Sequence, residues 1–257
     1  MSGDKLAAIF ARKRQELAAR ARLVTGPRPT RRDFTQALVA QRPGLPINVI
    51  AEVKRRSPSG GDFPHSDLVA VAKAYEAAGA SALSVLTDGP DFGGSLEDLG
   101  QVRAAISLPV LRKDFLVAPQ EIEESVGLGA DAVLLIADAL EDGLLEEMVA
   151  TARACEMAAL VEAHTEAHAE RALKAGALLV GINNRDLATL RTDISTALQV
   201  IPKLRGRARA LVAESGLKTR EDFAAARAAG ADAVLVGESL LRDAEPGRAL
   251  ARLLGAP

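Results

Sequence analysis

The phrase GADAVLLI at residues 129–136 returns as GADAVLVG at residues 230–237. In each copy a glycine and an alanine close a helical stretch, and an unbroken run of β-branched and aliphatic residues follows. Glycine at that point supplies the left-handed backbone that ends a helix and turns the chain back. A run without alternation reads as a parallel strand buried on both faces. Gly79-Ala80 and Gly176-Ala177 are two further joints of the same kind. Working outward, apolar runs occur at Asn48–Val53, Ala82–Leu86, Pro109–Lys113, Ala132–Ile136, Ala158–Glu162, Leu178–Asn183, Ala210–Glu214 and Ala233–Gly237. The gaps each hold one helix and two short loops. Apolar residues recur at helical spacing over Ser66–Ala78, Pro119–Gly127, Gly143–Glu156, Glu166–Ala175 and Arg220–Ala229. Eight such units close a barrel more naturally than they build an open doubly wound sheet, and no G-x-G-x-x-G follows the first strand. The expected fold class is α/β, a (β/α)8 TIM barrel.

The 257 residues fit one such barrel of ~250 residues, so a single domain over 1–257 is expected, with 1–47 as an N-terminal helical extension packed on it. Within the extension Leu6, Ile9, Phe10, Leu17, Ala21 and Val24 fall on one helical face. Phe34, Ala37 and Leu38 suggest a second, shorter helix. Neither could bury its apolar face alone. From Met1 to Ile47 ten Lys/Arg face three Asp/Glu, a balance of +7 that leaves −9 for the remainder of a chain of net charge −2. Such a balance excludes general nucleic-acid affinity, while a basic cover would favour entry of an anionic ligand. The N-terminus lacks the apolar centre of a secretory signal, and no apolar run is long enough to span a membrane. Cys155 is the one cysteine, which excludes a disulfide framework and a cysteine-rich metal site. A cytoplasmic monomer with no obligate partner, nucleic acid or membrane is the expectation.

Active sites of this fold sit at the C-terminal ends of the strands. Glu52 and Lys54 end the first run and, being two apart, share one side. Lys113 ends the third, Glu162 the fifth, Asn183 and Arg185 the sixth, and Glu214 and Ser215 the seventh. Three cations beside three carboxylates can satisfy one another when buried and shift one another's pKa, as acid–base chemistry requires. Gly216 and Gly237, in the loops after the seventh and eighth strands, allow backbone N–H groups to approach an anion. Glu238 has a side chain of the wrong sign and would contribute through its N–H. The tract from Ser57 and Pro58 to Gly61 is a candidate mobile loop, and Phe92 and Phe115 are candidates to place aromatic rings over the mouth in a chain with six Phe, one Tyr and no Trp. His65, His164 and His168 read as surface histidines. The latter two have the i, i+4 spacing of a metal pair without HExxH or an evident third ligand, and no metal is expected.

The motifs IAEVKRRSPSGG, LSVLTDGPDFGGS, LPVLRKDF, ALVEAHTEA, VGINNRDL, VAESGL and VLVGESLL, in this order and spacing, resemble the signatures of the indole-3-glycerol-phosphate synthase family over essentially the whole chain. AEVKRRSPS, RKDF and GINNRDL together are specific; GADAVLVG alone would suit many phosphate-binding barrels. The resemblance implies a carboxy-lyase of tryptophan biosynthesis, without metal or organic cofactor, acting on 1-(2-carboxyphenylamino)-1-deoxyribulose 5-phosphate. It makes Lys113 the general acid and Glu162 a general base or acid. Lys54, supported by Glu52, would hold the carboxylate and phosphate region of the substrate, and Asn183 would orient the sugar hydroxyls. Arg185, Glu214 and Ser215 would complete the polar wall. Ser57, Gly216, Gly237 and Glu238, with Lys54, map to phosphate contacts; Pro58, Phe92, Phe115, Leu134 and Leu187 map to the anthranilate pocket. The chain departs from the family after RKDF, where LVAPQEIEES stands in place of an acidic residue and a Tyr-Gln pair. It ends shortly after Leu241, so no fused isomerase is expected. The alternatives are another phosphosugar isomerase barrel, which would not present Lys54, Lys113 and Glu162 together, and a catalytically silent scaffold, in which an intact polar rim would cost stability and serve nothing.

Overall fold

The computed structural model describes residues 2–20, 23, 26–27, 29–186 and 189–255, with side chains from Lys5 onward. Eight parallel strands close into a barrel: β1 (Asn48–Val53), β2 (Ala82–Leu86), β3 (Val110–Lys113), β4 (Ala132–Ile136), β5 (Ala158–Ala163), β6 (Leu179–Asn183), β7 (Ala210–Glu214) and β8 (Ala233–Val236). β8 returns to β1 in the register Asn48↔Ala233 to Ala51↔Val236. Helices alternate with the strands and cover the outside of the barrel, while inward side chains fill its interior, so the strand residues are buried almost throughout. The expected barrel is present. Pro109 lies just outside β3, where its carbonyl accepts from Leu83 N–H at 3.0 Å although it has no N–H to give the ladder. Gly237 leaves β8 to begin the short helix Glu238–Leu241.

The repeated phrase has a structural account. Gly79, Gly129, Gly176 and Gly230 all have left-handed backbone, with φ of 98°, 84°, 84° and 107°. Two positions later, three of the four joints carry a short polar side chain that accepts an N–H of the preceding strand. Val49 N–H bonds to Ser81 Oγ at 3.3 Å, Val110 N–H to Asp131 Oδ2 at 3.0 Å and Leu211 N–H to Asp232 Oδ2 at 2.8 Å. The fourth joint has Leu178, which can accept nothing there and is 58 % exposed.

The N-terminal extension reaches both ends of the barrel. α1 (Ser2–Ala19) buries Phe10 and partly buries Leu6, Ile9 and Leu17; Ala21 and Val24 fall outside the described residues. α2 (Phe34–Val39) is capped by Asp33, buries Phe34 and Leu38, and its last carbonyls accept from the Asn48 amide at the start of β1, 2.7 Å from Leu38 O and 3.1 Å from Ala40 O. α2 therefore packs beneath the strand starts. α1 packs at the other end, because β3 alternates: Lys113 faces the barrel mouth, while Arg112 points outward and is almost wholly buried. Arg112 meets Asp114 Oδ2 at 3.2 Å and Glu124 Oε2 at 3.2 Å. Lys13 of α1 closes on Asp114 Oδ1 at 2.7 Å, Arg20 pairs with Glu124, and Arg12 reaches Asp88 at 2.8 Å and Asp91 at 3.0 Å. The helix is thus held by ion pairs whose acidic halves are largely buried.

Burial opposes ionisation of Asp114, but Arg112 and Lys13 hold its carboxyl down to about 2. A carboxyl depressed on folding stabilises the fold fully above its ordinary value, and the contribution fades as pH falls toward the depressed one. Lys13→Met should lower stability by about 1.5–3 kcal/mol near neutrality, the scale of a hydrogen bond to a charged group, since Asp114 keeps Arg112 and Thr87. Thermal melts of both chains from about pH 7 to about pH 2.5 check this: the gap in Tm should narrow on acidification, and a constant gap would contradict the assignment.

Candidate active site

Above the strand ends lies a cavity of about 840 Å³, within the range of small-molecule sites. Its floor is built by the alternation that turns Glu52, Lys113, Glu162 and Asn183 inward. Lys113 Nζ is 3.0 Å from Glu162 Oε2 and 3.4 Å from Glu214 Oε2; Lys54 Nζ is 2.5 Å from Glu52 Oε1. The two acids flank β6: Glu162 lies beside Gly181, and Glu214 beside Asn183. A Cβ on Gly181 would collide with Glu214 Oε1, so the missing side chain lets Glu214 lie sideways beneath Lys113. Gly237 plays the same part for Glu52, whose Oε1 would stand 2.7 Å from an added Cβ.

The buried charges divide unequally. Burial opposes ionisation of Glu162, yet Lys113, His164 and a hydrogen bond from the Asn183 amide hold its carboxyl well below the usual range. Burial and the neighbouring charge of Glu162 push Glu214 up against the pull of Lys113. Lys113 is itself desolvated, but Glu162, Glu214 and Glu52 together raise it, so its ammonium persists. The site pairs an ionised carboxylate with a charged acid, and a second carboxyl holds a proton underneath. Carboxyl groups with separated pKa values are a signature of acid–base sites.

One wall is apolar. Phe115 stacks edge-on to Phe10 of α1 at 6.0 Å between centroids and lies 6.1 Å from Phe92. Pro58, Leu86, Leu134 and Ile136 continue that wall. At the other end Ser215 and Gly216 turn through left-handed backbone, φ 64° and 81°. A non-glycine residue held there costs ~1–3 kcal/mol and marks functional turns. Its carbonyl accepts from the Asn184 amide at 3.0 Å. Gly237 starts the turn Glu238–Leu241, and no side chain caps its N–H groups. The Glu238 carboxylate sits between Arg185, at 3.2 Å, and Arg242, at 2.9 Å, with Ser59 Oγ 3.3 Å away. Its wrong sign is thereby neutralised.

The structure brings together Glu52, Lys54, Lys113, Glu162, Asn183, Arg185 and Ser215 around the cavity, with Ser57, Pro58, Phe92, Phe115, Leu134, Gly216, Gly237 and Glu238. Glu214 is placed differently from the expectation of a substrate-binding residue: it is sealed beneath Lys113 and does not line the cavity, because Gly181 draws it sideways. Leu187 lies outside the described residues. Ser57 Oγ accepts from Gly60 N–H at 2.9 Å and closes its own loop, whose flanks Arg56–Ser57 and Gly61–Asp62 pair antiparallel. Among the described residues no group of three or more His, Cys, Asp or Glu is arranged to hold a metal ion.

A family model described as indole-3-glycerol phosphate synthase matches residues 3–253. The chain belongs to that family. A Mycobacteroides abscessus indole-3-glycerol phosphate synthase is 46 % identical over 99 % of this chain and 95 % of its own length; one from Carboxydothermus hydrogenoformans is 46 % identical over 85 % and 83 %. Solved structures share the barrel at lower likeness. A mandelate oxidase gives a TM-score of 0.63 at 18 % identity over 98 % of this chain and 86 % of its own. A thiamine phosphate pyrophosphorylase from Pyrococcus furiosus gives 0.61 at 13 % over 82 % and 96 %. Those two show the fold alone. Membership of the synthase family makes this chain a lyase of tryptophan biosynthesis, as its motifs implied.

Sequence reasoning missed several residues of this synthase site. Lys5, Lys218, Thr192 and Arg242 also line the cavity; Arg242 was findable, standing one helical turn after Glu238. His164 is a correction. It was expected on a surface helix, but it precedes the helix Glu166–Lys174, its side chain is only 11 % exposed, and it packs between Asp138 and Glu162. His168 does lie on that helix, partly exposed, and His65 is bonded to Asp243 O.

Gly181→Ala should leave a folded barrel by circular dichroism but lower kcat about 10²-fold, the scale of an ångström-sized misplacement. A double-mutant cycle checks the cause: in a Glu214→Ala background the same change should cost little, and an undiminished loss there would refute the steric account.

Proposed function

We propose that this cavity converts 1-(2-carboxyphenylamino)-1-deoxyribulose 5-phosphate into indole-3-glycerol phosphate, carbon dioxide and water, with Lys113 as the proton donor of ring closure. The observation that supports it best is the buried Lys113 ammonium bridging an ionised and a protonated carboxyl between an apolar wall and an anion seat. The aryl ring suits Phe92, Phe115, Pro58 and Leu134. The phosphate suits the backbone at Gly216 and Gly237, with Arg242 and Lys218 near. Lys54, oriented by Glu52, is free to meet the aryl carboxylate.

The steps follow from charge. The ring carbon bearing the carboxylate attacks the ketone carbon, and the carbonyl oxygen gains electron density as the carbon–carbon bond forms. Lys113 Nζ gives that oxygen a proton and becomes neutral, while Glu162 and Glu214 hold it in place. Cleavage of the carboxyl carbon's bond returns its electron pair to the ring and releases carbon dioxide. The new hydroxyl then departs as water with a second proton, while Glu162 takes the proton whose loss forms the last double bond. Asn183 keeps Glu162 oriented through its amide. Glu214 keeps Lys113 in place and supplies a reserve proton under it. Positioned acid–base groups of this kind supply ~10²–10⁴ in rate.

A cytoplasmic monomer acting on one small phosphorylated substrate completes the reading. The lone Cys155 is consistent with a reducing compartment, and among the described residues no helix is long and apolar enough to cross a membrane.

The purified chain incubated with this substrate should develop indole absorbance and fluorescence. Lys113→Met should lose ~10²–10⁴ in kcat with KM little changed and the fold intact. Near-normal kcat in that variant would refute its role as acid.

A further inference from the structure

Behind Glu162, away from the cavity, a second row of titratable groups runs to the surface. Asp138 stands in the turn after β4, which is tied to β5 by the Ala137 N–H to Glu162 O bond of 2.9 Å. His164 Nδ1 lies 3.2 Å from Asp138 Oδ2, and its Nε2 lies 3.7 Å from Glu162 Oε1. The other Asp138 oxygen is 2.6 Å from Nδ1 of His168, on the helix that follows. Lys113 takes Glu162 Oε2, so His164 addresses the oxygen Lys113 leaves. Both His164 ring nitrogens and Asp138 Oδ2 are sealed from solvent and make no well-aligned hydrogen bond. Buried polar groups held this loosely cost stability. Their arrangement is therefore better explained by charge than by packing.

The groups facing His164 are named by element: Asp138 after β4, Glu162 on β5, His168 on the next helix and Glu214 on β7, with Lys113 of β3 beyond Glu162. With Glu214 protonated, the carboxylates of Asp138 and Glu162 face the single ammonium of Lys113. Burial works against the imidazolium, but Asp138 and Glu162 outweigh it and raise His164 above its ordinary value.

We propose that His164, anchored by Asp138, is a positioning residue for the reaction: its imidazolium holds the second oxygen of Glu162 and so fixes the orientation and charge of the carboxylate that exchanges protons with substrate. It does not line the cavity, so it acts through Glu162 alone. The inference rests on the proton-transfer role given to Glu162 above. In chemical terms Glu162 is clamped between two cations, one able to reach the substrate and one not. Lys113 can release its proton to the reacting carbonyl while His164 still keeps Glu162 ionised for the later step.

Two measurements test it. The first needs no turnover: the ring nitrogens of His164, followed by NMR on the intact chain, should titrate above the ordinary histidine value, and Glu162→Gln should lower that midpoint. The second is kinetic. His164→Gln should reduce kcat about tenfold or more with KM within about twofold, and move the acid limb of the kcat–pH profile upward, because Glu162 has lost a neighbouring cation. A purely structural role would lower Tm and leave that limb in place. Should His164→Gln fold poorly, Asp138→Asn keeps the test: the His164 midpoint should fall and the acid limb should move the same way. An unshifted midpoint in Glu162→Gln overturns the proposal, and so does a wild-type pH profile in a folded His164→Gln or Asp138→Asn chain. Absence of any indole product from the wild-type chain overturns the assigned reaction instead, and with it the use made of His164, whatever the titration shows.

Discussion

A single ammonium group, Lys113 Nζ, has been taken out of water, and much of the rim is arranged around that fact. An isolated buried cation would deprotonate; two carboxyl groups at 3.0 and 3.4 Å keep it charged. Two carboxylates in such proximity would repel, so one of them carries a proton. The inequality comes from position. Glu162 has further positive and donor neighbours in His164 and Asn183, while Glu214 has only Lys113 and lies in the space left by Gly181. The unequal charge states of these three groups are thus consequences of where side chains stop.

The residue before Lys113 faces the opposite way and carries a second problem of the same kind. Arg112 is sealed in the helical layer, and its partners Asp114 and Glu124 are shared with Lys13 and Arg20 of α1. One strand therefore anchors the buried cation of the cavity on its inner side and the N-terminal helix on its outer side. Phe115, next in line, touches Phe10 of that helix and the cavity wall at once. The extension is thereby part of the site's wall. Much of the excess of basic residues in its first half is spent on these internal pairs, with Lys5 remaining at the mouth.

The barrel was legible because its signals are local. Glycine at four of the helix–strand joints and solid apolar runs need no knowledge of neighbours, and the strand bounds differ from the expected runs by one residue at Pro109, Ala163, Leu178 and Gly237. The polar rim was legible too, since charged residues ending buried strands must converge once the barrel closes. Where sequence reasoning stopped, the missing information was lateral. Nothing along the chain says that Gly181 draws Glu214 out of the cavity. Nothing tells that His164 turns back toward Glu162 before its helix begins, since i, i+4 spacing to His168 suggests one shared helix face. Arg112 and Lys113 differ only in parity, and parity is fixed by register. The polar residue before three strands was visible as letters, but its partner is an N–H on another strand.

Those three side chains, Ser81, Asp131 and Asp232, all sit at the strand starts, opposite the chemistry. Each fixes its strand's offset from the preceding one before any rim residue is placed. The architecture is thus founded at one pole and furnished at the other, so new loops could be exchanged at the mouth while inheriting a closure settled elsewhere. A lineage free to rewrite its catalytic rim would find its limits at the underside, in short oxygen-bearing residues that touch no substrate.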